Sequence, residues 1–415
     1  MQTSTLFTLR LLIPFALGYW LSYLFRVINA VVAPDIMAEL GISAATLGFV
    51  SSAYFLTFAA CQIPLGILLD RYQTRDVASA LLLFAAVGSL VFALAESSLI
   101  LWLGRGLIGI GVSACLMAAF KCYTSWLKRE QLPAINGLQL TSGGLGALSA
   151  TAPIEFALTF TDWRGIFIAT AILSLMIALL VRILIPRTQA RKSSDSILTQ
   201  LRQTWAVVKT PAFYQLAPAS MLSQSVFIAV QSLWAGLWLQ QVSQLTPANA
   251  AAVLFVAAAG MVAGFLLLGF ITGRLNRLGV STPSISFIGM ACFTLTLLWI
   301  QLGPDHAGLM VWGLFGFFGT SGTLMFAGLS QQFPIEISAR VSTSLNLGIF
   351  LGAFLVQWGM GAVVGLWPSE DGQQYPSSAF RWALGGATLL QVAALGWYLW
   401  CRLRAAAQAS NAANT

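Results

Sequence analysis

The chain has 415 residues, of which 58% are hydrophobic and only 8% charged, with a formal net charge of +8. A water-soluble domain carries about a quarter of its residues charged, so this composition excludes an ordinary soluble protein and makes lipid the solvent. The basic residues are dispersed over short segments between apolar runs, which excludes the single basic face of a nucleic-acid binder.

A bilayer core is crossed by about 20 apolar residues of helix. Twelve such runs are predicted, at about 11–33, 45–69, 77–96, 98–123, 133–157, 165–186, 214–240, 248–272, 283–303, 308–333, 341–367 and 380–403. Backbone groups in hydrocarbon must bond internally, and runs this long do so as helices. The first run carries Arg26 and Asn29 and lacks a small-residue cleavage site before Pro34, so it is expected to be span 1 and not a cleaved leader. Most basic residues, from Arg10 and Arg71 through Lys121, Arg182 and Arg274 to Arg402, fall on one side, and only Arg164 and Arg381 on the other. That bias predicts a bacterial inner-membrane protein with both termini cytoplasmic.

Span 1 holds the residue with the sharpest chemistry. Arg26 lies near mid-membrane, where a cation costs at least about 2.5–3.5 kcal/mol unless paired or hydrated. Tyr19, Tyr23 and Arg26 recur at helical spacing and share a face. A guanidinium beside aromatic rings suits a carboxylate-bearing molecule, which it grips in a bidentate fork. Its structural alternative is an arginine bonded to backbone carbonyls. Tyr54 and Gln62 on span 2 and Gln139 on span 5 are further candidates for the lining. Arg105, in span 4 among Gly104, Gly106, Gly109 and Gly111, is a second buried cation.

Residues 187–213 form the longest polar interval and divide the spans six and six. The expected units are 1–186, the connecting loop 187–213, 214–404 and a tail at 405–415. On span 7, Gln224, Phe227, Gln231, Trp234 and Trp238 form one helical stripe. On span 11, Asn346, Phe350 and Gln357 align in the same way. A duplication would place Gln231 opposite Arg26, so a cationic half would face a hydrogen-bonding half. No carboxylate falls near mid-membrane; Asp35 and Glu155 are the nearest candidates to carry a coupling proton.

The duplication is written in the turns. Gly66-Ile-Leu-Leu-Asp70-Arg71-Tyr-Gln-Thr-Arg75 between spans 2 and 3 returns as Gly269-Phe-Ile-Thr-Gly273-Arg274 between spans 8 and 9. Parallel repeats about an axis along the membrane normal are a recurrent transporter plan. With Gly104-Arg105-Gly106 in span 4 and Asp162-Trp163-Arg164 before span 6, these motifs resemble the major facilitator superfamily over nearly the whole chain. The resemblance implies an all-α integral membrane fold, twelve transmembrane helices in two pseudo-symmetric six-helix bundles. It also implies a latch in which Gly66, Asp70, Arg71, Arg75 and, in the weaker second copy, Arg274 close the inner mouth of an outward-facing carrier. It further implies a coupling or helix-holding role for Arg105. Tyr23-Leu-Phe-Arg26 is similar to the start of the organic-anion branch, with Phe25 where that branch has an aspartate.

The expected function is secondary transport of a small polar anion or zwitterion by alternating access. The expected protein is a monomer that binds its substrate and lipid, with a coupling proton as a further candidate partner, and with no cofactor, metal or nucleic acid. His306 is the only histidine, and no nucleophile–histidine pair or phosphate loop suggests an enzyme. The rivals are a multidrug or metabolite exporter of the same superfamily and a non-transporting membrane sensor.

Overall fold

The computed structural model describes residues 5–128, 130–187, 197–304, 308–333, 335–368 and 374–413. His306, named in the sequence reading, lies outside them. The described residues form helices joined by short turns, and short turns make sequential helices antiparallel neighbours. Among the described residues, eleven helices are long and apolar enough to cross a membrane. The fifth expected span is present as Leu132–Ser149 and Ala152–Leu158, interrupted at Thr151 just before Pro153. The protein is a multi-pass, all-α membrane protein.

The boundaries differ from expectation at three places. Span 1 starts at Thr5, and its continuation, Asn29–Leu40, runs past Pro34 to a left-handed Gly41. The central interval contains a further helix, Ile197–Val208, and span 7 begins at Pro211. Span 12 runs from Ser377 to Ala413, so the short tail continues a helix. Alanines without helix breakers extend it.

Four spans break near mid-depth, and they form two corresponding pairs. Span 1 is interrupted at Ile28, and span 7 passes through a π-helical turn at Val230–Trp234. Span 4 is interrupted at Ser113–Ala114, and span 10 passes through a 3₁₀ turn at Ser321–Thr323. Local side chains explain two of these. Ser113 Oγ donates to Ile110 O at 2.8 Å, and Thr320 and Thr323 donate to Phe317 O and Thr320 O at 2.8 and 2.6 Å. Such back-bonding competes with the helix ladder and bends it.

Packing sets the frame of the site. In the N-terminal half, span 3 (Thr74–Ala93) lies against span 4 and span 6 (Trp163–Leu184). In the C-terminal half, span 8 (Pro247–Arg277) lies against span 10. The halves meet chiefly where span 2 (Ala44–Arg71) runs along span 11 (Ile335–Val364), and again where span 5 meets span 8.

Candidate substrate-binding site

A cavity of about 720 Å³ lies between the halves. Its wall takes Tyr19, Tyr23 and Arg26 from span 1, Phe58 and Gln62 from span 2, Gln224 from span 7, and Asn346 and Phe350 from span 11. Spans 4, 5, 8 and 10 add mostly apolar side chains, among them Phe120, Leu140, Leu266 and Phe326. Except for Tyr23, Arg26 and Phe350, which lie at or just past mid-span, these lie in the half of their span nearer the basic side, so the cavity extends from mid-membrane toward that side.

Arg26 is 5% exposed. Its guanidinium carbon lies 4.2 Å from the Tyr23 ring, 5.0 Å from Phe350 and 5.8 Å from Phe58. Its Nε has no hydrogen-bond partner, and no carboxylate pairs with it among the described residues. Cation–π contact offsets part of the cost of burying the charge and leaves the Nε donor free. Tyr19 and Tyr23 meet edge to face with centroids 5.2 Å apart. Gly143 makes room for both, since a Cβ there would sit 2.6 Å from the Tyr19 ring and 2.7 Å from the Tyr23 ring. Asn346 Nδ2 donates to Gln62 Oε1 across the halves at 3.4 Å, and Gln224 Nε2 donates to Gly319 O at 2.7 Å.

Other candidates stand elsewhere. Tyr54 is fully buried, and its hydroxyl donates to Ser22 O at 3.1 Å. Gln139 is sealed in a helix seam, accepting from Tyr123 Oη at 2.8 Å and donating to Phe15 O at 2.9 Å. Arg105 Nη1 donates to Phe25 O at 2.9 Å, and its guanidinium lies 5.3 Å from the Tyr54 ring. It ties span 4 to span 1 beside Arg26, outside the cavity lining.

The span 7 stripe is corrected by the π turn. An i→i+5 turn shifts the register, so the stripe does not keep one face. Gln224 reaches the cavity, whereas Gln231 is buried with Nε2 3.4 Å from Met261 Sδ, not opposite Arg26 in the lining. Trp234 Nε1 donates to Gln357 O at 3.1 Å, and Gln357 Oε1 accepts from Ser232 Oγ at 3.4 Å. Trp234 and Gln357 therefore belong to a seal on the side away from the basic residues. There Trp234 packs on Gly48, Gly361 on Ala44 and Ala45, and Gly236 on the Ala30 carbonyl.

The charged turn pairs within its own half. Lys121 Nζ donates to Asp70 Oδ1 at 2.6 Å and also to Leu69 O. Asp76 holds Arg182 at 3.0 Å and Arg75 at 3.4 Å. Gly66 sits half-buried in span 2, while Arg71 and Arg274 are exposed, Arg274 lying over the Phe270 ring at 4.3 Å. On the opposite side, Arg164 holds Glu39 at 2.8 Å and Trp163 Nε1 donates to Glu39 Oε2 at 2.6 Å. Asp35 is raised above the ordinary carboxylate range, first by burial and then by Glu39. Glu155 is half-buried in the short helix after the break in span 5.

The sequence reading missed Ser22, Phe58 and the role of Gly143. The Gly143-Gly144 pair was the available signal, Gly143 facing Tyr19 and Tyr23 of span 1 and Gly144 facing Val262 of span 8.

With this architecture in place, comparisons decide the family. The model of the Major Facilitator Superfamily matches residues 15–405. The chain belongs to that superfamily. It is 30% identical over 159 residues to the "probable sulfoacetate transporter SauU" of Cupriavidus necator, covering 38% of this chain and 37% of the relative. It is 25% identical to the hexuronate transporter of Escherichia coli, covering 52% and 50%. The chain thus spans about a third to a half of these relatives' length. With the multidrug resistance protein MdtL of Escherichia coli it shares 23% identity, covering 80% and 83%. Among solved structures, a bacterial homologue of the human lysosomal transporter Spinster, inward-facing and unoccupied, matches with TM-score 0.75 at 17% identity, over 96% of this chain and 97% of that one. The nucleoside transporter NupG matches with TM-score 0.74 at 15% identity, over 94% and 99%. These two share the fold. The relatives named here are transporters.

Proposed function

We propose that this transporter moves a small organic anion across the bacterial inner membrane by alternating access, with Arg26 as the anion's ligand. One observation carries the reading: a buried guanidinium in the wall of the central cavity, cushioned by aromatic rings, keeps an unpartnered Nε and has no carboxylate partner among the described residues. The lining offers an anion its counter-charge. It offers the ammonium of a zwitterion none, which narrows the cargo to anions. Sulfoacetate and hexuronate, named for two relatives, are both organic acids. The positive bias supports a cytoplasmic location for the basic side, and with it for both termini and the mouth of the cavity. The carrier is then inward-facing, and the seal from Gly236 to Gly361 closes its outer side. Gln62, Gln224 and Asn346 orient the uncharged part of the cargo. The whole cavity is built within one chain, so a monomer suffices.

Arg26→Gln is expected to abolish uptake of labelled organic anion into proteoliposomes, while expression and melting temperature persist. Uptake at the wild-type rate overturns the ligand role. A second reading, efflux of apolar compounds, draws on the MdtL match and on Phe120, Phe265 and Phe326 in the lining. Altered drug susceptibility of a deletion strain, with unchanged growth on organic acids, would favour it.

A further inference from the structure

We infer a second anion site, remote from the central cavity, on the basic face of the C-terminal half. It is built for a phosphate-type group. A cavity of about 740 Å³ opens there between spans 7, 9 (Thr282–Leu302), 10 and 12, lined by Gln215, Asn276, Thr282, Gln331, Gln332 and Arg402 among others. The internal repeat shows what belongs in it. In the N-terminal half, Arg182 near the basic end of span 6 holds the carboxylate of Asp76, the third residue of span 3, at 3.0 Å, and Arg75 adds a contact at 3.4 Å. In the C-terminal half, Arg402 near the basic end of span 12 reaches the third residue of span 9 in the same way. That residue is Ser284, and Pro283 stands where Arg75 stood.

Duplication has kept the arginine and lost the acid. Arg402 Nη1 donates to Ser284 Oγ and to Tyr398 Oη, each at 3.1 Å. Both bonds leave from one nitrogen, so Nη2 and Nε keep donors for an oxyanion, which a guanidinium grips in a planar fork. The lining has no carboxylate among the described residues, and its amides and hydroxyls supply further donors. A tetrahedral oxyanion satisfies donors that converge from several walls, and the cavity has room for the group that carries it. The source is either a soluble phosphate compound from the water on this side or the headgroup of an anionic phospholipid.

The test is thermal unfolding of the purified full-length protein in uncharged detergent, at constant ionic strength. One arm adds inorganic phosphate, and the other adds phosphatidylglycerol as mixed micelles. A ligand bound only by the folded state raises the midpoint saturably. The wild type should respond to at least one probe, and Arg402→Ala should weaken the apparent affinity about tenfold or more. Ser284→Asp restores the carboxylate of the other half, so it should unfold at a higher temperature without added anion and respond to neither probe. It also separates this site from Arg26, which it leaves intact. A response to inorganic phosphate assigns a soluble ligand; a response to phosphatidylglycerol alone assigns a lipid headgroup. No response to either probe, or a Ser284→Asp response equal to that of the wild type, overturns the site.

Discussion

At Arg26 three rings, Tyr23, Phe58 and Phe350, replace part of the water that a guanidinium would otherwise hold. Seating those rings depends on small neighbours. Gly143→Ala would push a methyl against Tyr19 and Tyr23. It should raise the KM for the anion severalfold while leaving the melting temperature close to that of the wild type, as uptake kinetics beside thermal unfolding would show. We propose Asp35, one of two candidates with Glu155, as the residue through which a proton would couple. Because its carboxyl is raised, it stays protonated to higher pH than a free aspartate. Uptake coupled through it should fall as pH rises through that raised value, and Asp35→Asn should flatten the profile, measured in proteoliposomes without a pH gradient. The shared face of Arg26, Tyr19 and Tyr23 was legible in the sequence from helical spacing, whereas spacing alone does not separate a cavity arginine from one that bonds a backbone carbonyl, as Arg105 does. The place of Gln139 was not legible. A buried glutamine that bonds Tyr123 and Phe15 looks, in sequence, the same as one that faces a cavity.

Spans 1, 4, 7 and 10 share mid-depth breaks, and hydrophobic periodicity does not reveal such breaks, because a π or 3₁₀ turn costs only one register step in an apolar run. The π turn at Val230–Trp234 holds Gln231 and Trp234 outside the cavity lining, while ahead of it Gln224 reaches that lining and Phe227 packs on Phe293 and Phe315. It sits next to the closest approach of the halves on the sealed side, where Gly236 meets the Ala30 carbonyl. Gly236→Val has no room there. The seal should loosen, and the population should shift toward the state open on the side away from the basic residues. A cysteine reporter at the seam, Ala45→Cys, should then react severalfold faster with an impermeant maleimide than it does in the Gly236 background. Equal rates would mean that the seal does not depend on this approach.

For the molecule as a whole, composition, the twelve runs and the repeated charged turn were enough to read a membrane carrier of this superfamily. A low charge content and a duplicated motif leave few alternatives. What the sequence left open is pairing. The turn residues Asp70, Arg75 and Asp76 find Lys121 and Arg182 within their own half, a choice made by tertiary neighbours and not by spacing. Those staples suit two bodies that tilt as units. The guanidinium of Arg26 lies where the units touch, with Tyr23 and Phe58 belonging to one and Phe350 to the other. Tilting must carry Phe350 away from or toward the charge. On the proposed function, Phe350 of one bundle covers the cation of the other, and a carboxylate bound at Arg26 would compete with that ring, which would tie binding to rocking at a single side chain.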